Sequence, residues 1–424
     1  MMVNPRQKGW LKEYLDVRKD QFLKHGGEDV SKIGRHPDES LYSIVQPSGL
    51  MYGQPINLSG IGEEEQLDWD DESKLKVLLA ESFINSSFLF HEKNINSAED
   101  FSEMIVETTS GISRFYNEIY PEISTSTKSF FGKKKSPLEV AEKIIDKRIG
   151  KQKPVSGEFW DNFFQNSLLF LDIFVFGQWV HTNSENVVAE YFRQEKEDLR
   201  FSVVKVLAAA SHANNHIETE ERRLFEYFIN SSDLSSVKKA QAYRYLEEGV
   251  DLEEVVLPAT NSWILRKYFL ELAILVIWID KRVEDSEREF LEKFRQLLGF
   301  SNDDFENSMI AIEGFVLEHW QELDYLQNKK DFESVSDEFI SRVARITDRN
   351  KSRIANQLKS NKEVAYLLRK LNNEGLETHE KEQLKNKLIT ILKNIPSFVI
   401  VTLPSKFLSL PVLLKILQKE INTN

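Results

Sequence analysis

An all-α fold, a multi-helix bundle array, is predicted by three observations on this chain. Gly 17 and Pro 11 are few for 424 residues while Phe reaches 28, so turn-formers are scarce and large apolar side chains are common. Apolar residues recur three and four apart through long segments, the period of a helix with one buried face. No stretch alternates apolar and polar residues as a half-buried strand would. The 41 % hydrophobic and 29 % charged residues are a globular rather than a disordered composition, and the length fits two or three domains of about 150 residues. Lys plus Arg (55) against Asp plus Glu (68) leaves a net charge of −13. That balance argues against general nucleic-acid binding, whose footprint is basic. The absence of cysteine excludes disulfide scaffolds, thiol nucleophiles and cysteine-ligated metals together.

Taken in order, residues 1–60 carry an opening helix at about 8–24 and then a long irregular arm. The arm is marked by Gly26-Gly27, His36-Pro37, Gln46-Pro47, Gly53 to Pro55 and Ser59-Gly60. The acidic run Glu63 to Glu72 reads as a solvated approach to the next helix. From Lys74 to Phe90, Leu75, Leu78, Leu79, Phe83 and Ile84 fall in helical register; over 98–118, Phe101, Ile105, Ile112, Phe115 and Ile119 do the same. Ser124 to Pro137, ending Gly132-Lys133-Lys134-Lys135-Ser136-Pro137, reads as a loop. Helices follow at 138–149, 157–183 and 185–194. The expected organisation is 1–60 arm, 61–195 helical bundle, 196–325 repeat module and 326–424 C-terminal helical region with a hydrophobic segment at 395–417.

The N-terminal residues have no apolar core behind their basic ones, so no secretory signal is read there. Leu168 to Val180 is apolar but too short to span a bilayer and contains Asp172 and Gln178. A buried helix is expected. Ile395 to Leu414 is long enough, with 12 apolar residues, Lys406 and three prolines. Its apolar residues supply roughly −4 to −7 kcal/mol of insertion energy, against about +3 for a central Lys. The prolines each remove a helix hydrogen bond, so spanning is marginal.

An internal repeat occupies the middle. Shifted by 66 residues, Val203 to Ile229 lies over Phe269 to Arg295, and Glu218, Glu221, Arg222, Glu226 and Phe228 fall on Glu284, Glu287, Arg288, Glu292 and Phe294. Each copy runs from an apolar helix through a polar turn and one β-branched residue, Ile217 or Val283, into a charged helix. The β-branched residue suits a hydrophobic staple and the acids suit a helix start. The turns read Ala213-Asn214-Asn215-His216-Ile217-Glu218-Thr219-Glu220-Glu221 and Ile279-Asp280-Lys281-Arg282-Val283-Glu284-Asp285-Ser286-Glu287. This pattern resembles the TerB-like (tellurite-resistance B) helical domain over about 196–320. The resemblance implies a compact helical module with acidic turns. Lys281 and Arg282 place positive charge where a hard cation would need oxygen ligands, so capping rather than metal binding is expected.

The most specific pattern lies near the end: Pro396, Pro404, Pro411 and Lys415, spaced Pro-x7-Pro-x6-Pro-x3-Lys behind the charged helix Thr378 to Lys393. On a continuous kinked helix the prolines would share an arc of roughly 80°. The segment resembles the hydrophobic stretch of the Letm family, the leucine-zipper/EF-hand-containing transmembrane proteins. That family is associated with cation/proton exchange and ribosome contact. Phe407 stands where the family usually has an acid. Together, the two resemblances and the opening Asn4-Pro5 to Gly9-Trp10 are similar to the Letm-related biofilm-associated proteins. What that resemblance implies is a role in surface or community growth without known chemistry.

Other constellations are weak. His212 and His216 are four apart, yet Ala213 stands where a zinc protease needs its Glu. Gly60-Ile61-Gly62 lacks the third glycine and strand of a dinucleotide site. The Lys133 to Lys135 run offers about 1 kcal/mol per Lys toward anionic lipid. Asp172, inside the apolar Leu168 to Val180 helix, is the most conspicuous single residue; once buried it needs a partner, and Lys406 or an Arg of the repeat would serve. No cofactor, metal site, catalytic residue or small-molecule substrate is read. The expectation is a non-enzymatic cytoplasmic scaffold with a protein partner or the inner-membrane surface as its contact. Two alternatives stay open: a soluble scaffold with 395–417 as core, and a cation handler.

Overall fold

The computed structural model describes residues 3–24, 37–55, 58, 61, 63–66, 68–90, 95–123, 135–150, 159–181, 186–213, 217, 219–255, 262–277, 285–318, 320, 329–395, 397–401, 403–404, 406–418 and 421. These form α-helices joined by turns and two short 3-10 segments; there is no strand among the described residues. The protein is all-α. The chain divides into two compact units, 1–279 with 284–290, and 280–283 with 291–424. The arm, the bundle and much of the repeat expected from sequence therefore share the first unit.

The first unit contains α1 (Trp10–Lys24), α2 (Pro37–Val45), α3 (Glu63–Gln66), α4 (Asp71–Phe90), α5 (Ala98–Ile119), α6 (Pro137–Gly150), α7 (Phe159–Asn166), α8 (Leu169–His181), α9 (Asn186–Ser211), α10 (Thr219–Ser231), α11 (Ser236–Glu248) and α12 (Trp263–Ile277). α13 (Asp285–Leu297) starts among its residues. Local signals start several helices. Ser97 and Asp100 form a reciprocal capping box at α5, and Asp70 accepts from the Ser73 N–H at 2.9 Å as α4 begins. Acids also fasten the chain start. Glu142 of α6 accepts the Gly9 and Leu11 N–H groups at 2.8 and 3.2 Å, and Glu65, in the acidic run, accepts from Val3 at 2.7 Å. That part of the acidic run is an anchor as well as a solvated approach.

The centre of this unit is α12, which is apolar around most of its circumference and buried from Ile264 to Ile277 apart from Arg266. Each such Leu, Ile or Phe stabilises by roughly 1.5–3 kcal/mol. The apolar helices of the two repeat copies, α9 and α12, pack on one another. A copy alone would leave its apolar helix exposed, so duplication supplies the partner. The repeat turns at 214–216, 218 and 278–284 lie outside the described residues, and with them Val283 and Glu284; Glu287 is buried.

Three sequence expectations in this unit are corrected. The arm is not irregular throughout: Pro37 opens α2, where its fixed φ fits the first helical position and Asp38 and Glu39 face the positive end of the dipole. Tyr42 and Tyr52 then donate to the fully buried Glu271 of α12 at 2.5 and 2.6 Å, which draws the arm into the core. The helix expected at 157–183 is broken between α7 and α8. Gly53 (φ +70) passes so closely that a Cβ there would lie 2.4 Å from the Asn162 carbonyl oxygen, and the Ser167 carbonyl accepts from the Tyr268 hydroxyl at 3.0 Å. Conversely, the helix expected to end at 194 runs on, and 186–211 is one helix.

The second unit holds the end of α13, α14 (Asn302–Glu318), α15 (Lys329–Arg349), α16 (Lys351–Ser360), α17 (Lys362–Asn373), α18 (Thr378–Lys393), α19 (Ser397–Ile400) and α20 (Leu410–Ile416). Asn361 caps α17 by accepting the Val364 N–H at 3.2 Å. Arg342 of α15 donates from Nε and Nη2 to the buried Glu313 of α14 at 3.0–3.2 Å and from Nη1 to Glu306 at 3.0 Å, tying these helices. The expected kinked helix across 395–417 is instead two short helices, α19 and α20, linked by a turn. Pro404 lies beyond the end of α19 and Pro411 in the first turn of α20, where its missing N–H needs no helical partner, so these prolines bound short helices rather than bend a long one.

Candidate functional site

Asp172 lies on α8, whose apolar residues bury it completely. α5 ends over it: Tyr116 donates its hydroxyl to Oδ2 at 2.8 Å and Tyr120, capping that helix, donates to Oδ1 at 2.6 Å. α6 supplies Arg148, whose Nε donates to Oδ2 at 2.6 Å, and α9 supplies Arg200, with Nη2 3.6 Å from Oδ1. Both guanidinium side chains are nearly sealed, 7 % and 4 % exposed. Burial pushes the Asp172 carboxyl up, but the charges of Arg148 and Arg200 and the hydrogen bonds outweigh it and hold the carboxyl below its ordinary value. Burial and the neighbouring carboxylate push both tyrosine hydroxyls well above theirs, so they remain donors.

One turn before Arg200, the Lys196 ammonium stands 4.1 Å from the centre of the Tyr120 ring and 3.7 Å from Glu122. Burial and Arg200 lower it to about 8. Arg200 also donates from Nη1 to the Ser232 carbonyl at 3.2 Å and to Asp233 at 3.4 Å. Asp233 has φ 57, the left-handed region that Asp tolerates better than most residues. A cleft of ≈ 250 Å³ opens beside the cluster, its wall including Arg148, Arg200, Gln165, Tyr227, Asn230 and Asp233.

Of the two partners anticipated for Asp172, the repeat supplies Arg200, and α6 adds Arg148. Lys406 belongs to the second unit, where its N–H donates to Glu318 at 2.8 Å. Arg148 and the two tyrosines escaped the sequence reading, and Arg200 was anticipated only as an Arg of the repeat, though a signal existed for both arginines. Arg148 falls four after Ile144 and Arg200 four before Val204, each in the register of a buried face.

The Pro-Pro-Pro-Lys motif is spread out rather than gathered into a site. Pro396 lies outside the described residues. Pro404 is buried near Gly314 of α14, where a Cβ would meet its ring at 3.2 Å. Pro411 is exposed in the first turn of α20, and Lys415, 60 % exposed, pairs with Asp337 at 3.1 Å. Glu318 accepts the N–H groups of Lys406 and Phe407 and so closes the turn between α19 and α20. Phe407 stands edge-on to Phe339 and Phe332, with centroids 5.6 and 6.2 Å away. The segment's apolar residues Ile395, Phe398, Val401, Leu403, Leu408, Leu413, Ile416 and Leu417 are all buried in this unit's core.

His212, one residue past the end of α9, is 3.0 Å through Nε2 from the Leu246 carbonyl, a contact that joins the end of α9 to α11. His216, Gly60 and Gly62 lie outside the described residues, as does 124–134. No group of three or more metal-ligating side chains occurs among the described residues. Phe159–Val180, with mean hydropathy 1.2, is long and apolar enough to cross a membrane; 89 % of it is buried inside the protein.

No protein-family model matches the chain, and no solved structure matches it significantly. Two curated proteins are similar to part of it, the co-chaperone protein DjlA from Vibrio vulnificus strains YJ016 and CMCP6. Each is 27 % identical over 124 residues, covering 27 % of this chain and 43 % of DjlA. The match thus spans less than half the length of those relatives.

Proposed function

We propose that this chain is a non-enzymatic helical scaffold for a protein partner, of the Letm-related biofilm-associated type, in which 395–417 serves as core rather than as a bilayer anchor. The observation that carries the reading is the burial of that segment's apolar side chains against α15 and α18. Apolar area already removed from water by protein gains little from lipid. The acids beside the segment are engaged, Glu318 with backbone N–H groups and Glu313 with Arg342, which disfavours a cation path there. The partial similarity to a co-chaperone supports a protein rather than a small molecule as the contact.

The test is fractionation of the full-length chain with carbonate and high-salt washes, beside Leu408→Asp, and cross-linking in intact cells. The chain should leave the membrane pellet in the washes, Leu408→Asp should unfold, and cross-linking should raise the mass above 49.4 kDa. A pellet surviving both washes, with Leu408→Asp folded and released, would overturn the core reading. An uncross-linked 49.4 kDa species alone would overturn the partner.

A further inference from the structure

Cations are unevenly spread over the second unit. From 349 to 362 the chain carries Arg349, Lys351, Arg353, Lys359 and Lys362 and no acid, within a protein whose net charge is −13. α16 takes up most of this run. Its Ile354 and Leu358 are buried, while Lys351, Arg353 and Lys359 are exposed, as is Lys362 in the first turn of α17. Those four form no ion pair among the described residues, whereas Arg345, Arg349, Lys370 and Lys387 of the neighbouring helices each meet an acid. Like charges without a countercharge repel one another, so an anionic occupant is stabilised beside them.

A groove of ≈ 390 Å³ adjoins this face, between the ends of α16 and α18. Gln357 and Ser360 follow Arg353 at intervals of four and three on one face of α16, and Lys387, Thr390, Ile391 and Asn394 share one face of α18. Its described lining contains no acid. Glu363, close by in sequence, is held by Lys387 at 2.7 Å and by Gln383. Both helices present their C-terminal ends here, where the last carbonyls carry partial negative charge and accept hydrogen bonds. That disfavours a bare phosphate and suits peptide N–H groups. The side-chain amides of Gln357, Asn361 and Asn394 offer donor and acceptor together, as a peptide backbone needs. The cations stand beside the groove: Lys359 and Lys362 flank Ser360 and Asn361 along the chain.

Length restricts the occupant. At physiological salt a charge is felt over about 8 Å, so only local cations count. At the far end of α17, 12 residues or about 18 Å away, stand the exposed acids Glu374 and Glu377. A nucleic acid or an anionic membrane would run on to them. A segment of about five extended residues would not.

We propose that the groove between α16 and α18, with Arg353, Lys359 and Lys362 beside it, docks a short acidic segment of a protein partner. The proposal rests on the scaffold reading and gives its partner a chemistry.

Fluorescence anisotropy with the full chain tests it, using short labelled peptides that alternate Ser with Glu, Gln or Lys and a short single-stranded DNA, beside co-sedimentation with phosphatidylserine vesicles. The Glu peptide should bind at least about ten-fold more tightly than the Gln peptide, a difference of about 1.4 kcal/mol. The double variant Lys359→Glu, Lys362→Glu should erase that preference. Thr390→Trp, at an exposed position in the groove, should abolish binding of the Glu peptide, and Lys12→Glu, the same kind of charge change at an exposed position of the first unit, should leave it unchanged. All these variants should keep the native thermal midpoint. Equal binding of the Glu and Gln peptides, no binding of either, tighter binding of the DNA or the vesicles, or a Glu preference that survives either groove variant would each overturn the proposal. The scaffold reading fails separately, by the absence of a cross-linked species from intact cells; cross-linking that persists beside a failed peptide titration overturns this surface alone.

Discussion

Asp172→Asn removes one charge from a buried cluster while leaving the side chain's shape. In the native protein two oxygens accept from Tyr116, Tyr120 and Arg148 at 2.6–2.8 Å and lie beside Arg200. An amide must turn its NH2 toward one pair of these donors, and both guanidinium groups lose their buried countercharge. Breaking a buried pair by removing one partner costs about 3–5 kcal/mol. The hydrogen bonds to the carboxylate are part of that figure rather than additional to it, because the network is not additive. At roughly 2–4 °C per kcal/mol for a unit of this size, the first unit should melt roughly 6–20 °C lower. Tryptophan fluorescence reads this unit selectively, since six of the seven tryptophans fall within 1–279. Tyr116→Phe is the control: it deletes one of the donors and should cost about 1–2 kcal/mol. An Asp172→Asn loss below about 1 kcal/mol, or one no larger than that of Tyr116→Phe, would mean that water screens the cluster, and the sealed ion network would be refuted.

Three further outcomes are expected. Phe407→Glu should destabilise the second unit by about 2–4 kcal/mol because the ring packs edge-on to Phe339 and Phe332; Trp320, 5.0 Å from the Phe332 ring, reports the urea midpoint, and an unchanged midpoint refutes the packing role. Gly53→Ala combines φ +70 with a Cβ 2.4 Å from the Asn162 carbonyl oxygen and should lower the thermal midpoint by an amount equivalent to about 2–4 kcal/mol, whereas Gly150→Ala, which meets nothing within 4 Å, should leave it unchanged or raise it slightly. Burial, helped by Asp198, pushes Glu195 from its ordinary 4.5 up to about 7; because the folded chain holds this proton more tightly, the stabilisation is complete below about pH 4.5 and lost as pH rises through 7. After solvent screening that amounts to about 1–2 kcal/mol, and urea midpoints of Glu195→Gln at about pH 5 and pH 8 should differ less than those of the native chain.

Helices whose cause is local were readable in advance. Leu75, Leu78, Leu79, Phe83 and Ile84 are all buried on α4, and the 98–118 register became α5 within one residue of its C-terminal end. A 3.6-residue period needs no knowledge of what covers the face. The failures have distant causes. Nothing near Ser167 announces that Gly53 and Tyr268, from either side in sequence, will break the helix there. The arm looked irregular because its turn residues outnumbered its apolar ones, yet Tyr42 and Tyr52 reach an acid more than two hundred residues away.

The candidate site divides the same way. Asp172 was conspicuous because an acid in an apolar run must be partnered once buried. Which groups would do so depended on where α5, α6 and α9 come to rest, and a pair of arginines at 148 and 200 has no sequence spacing that could reveal it. The three-proline segment posed a sharper ambiguity, since its composition fits either a bilayer or a protein core. By itself the sequence determined the all-α class, the duplication and the need for a partner at Asp172, because periodicity, self-similarity and the cost of burying charge are properties of the chain alone. The tertiary structure decided that the apolar side chains of 395–417 pack into a core on two short helices and that Arg148 and Arg200 close on Asp172, because both depend on surfaces that meet only when remote helices pack.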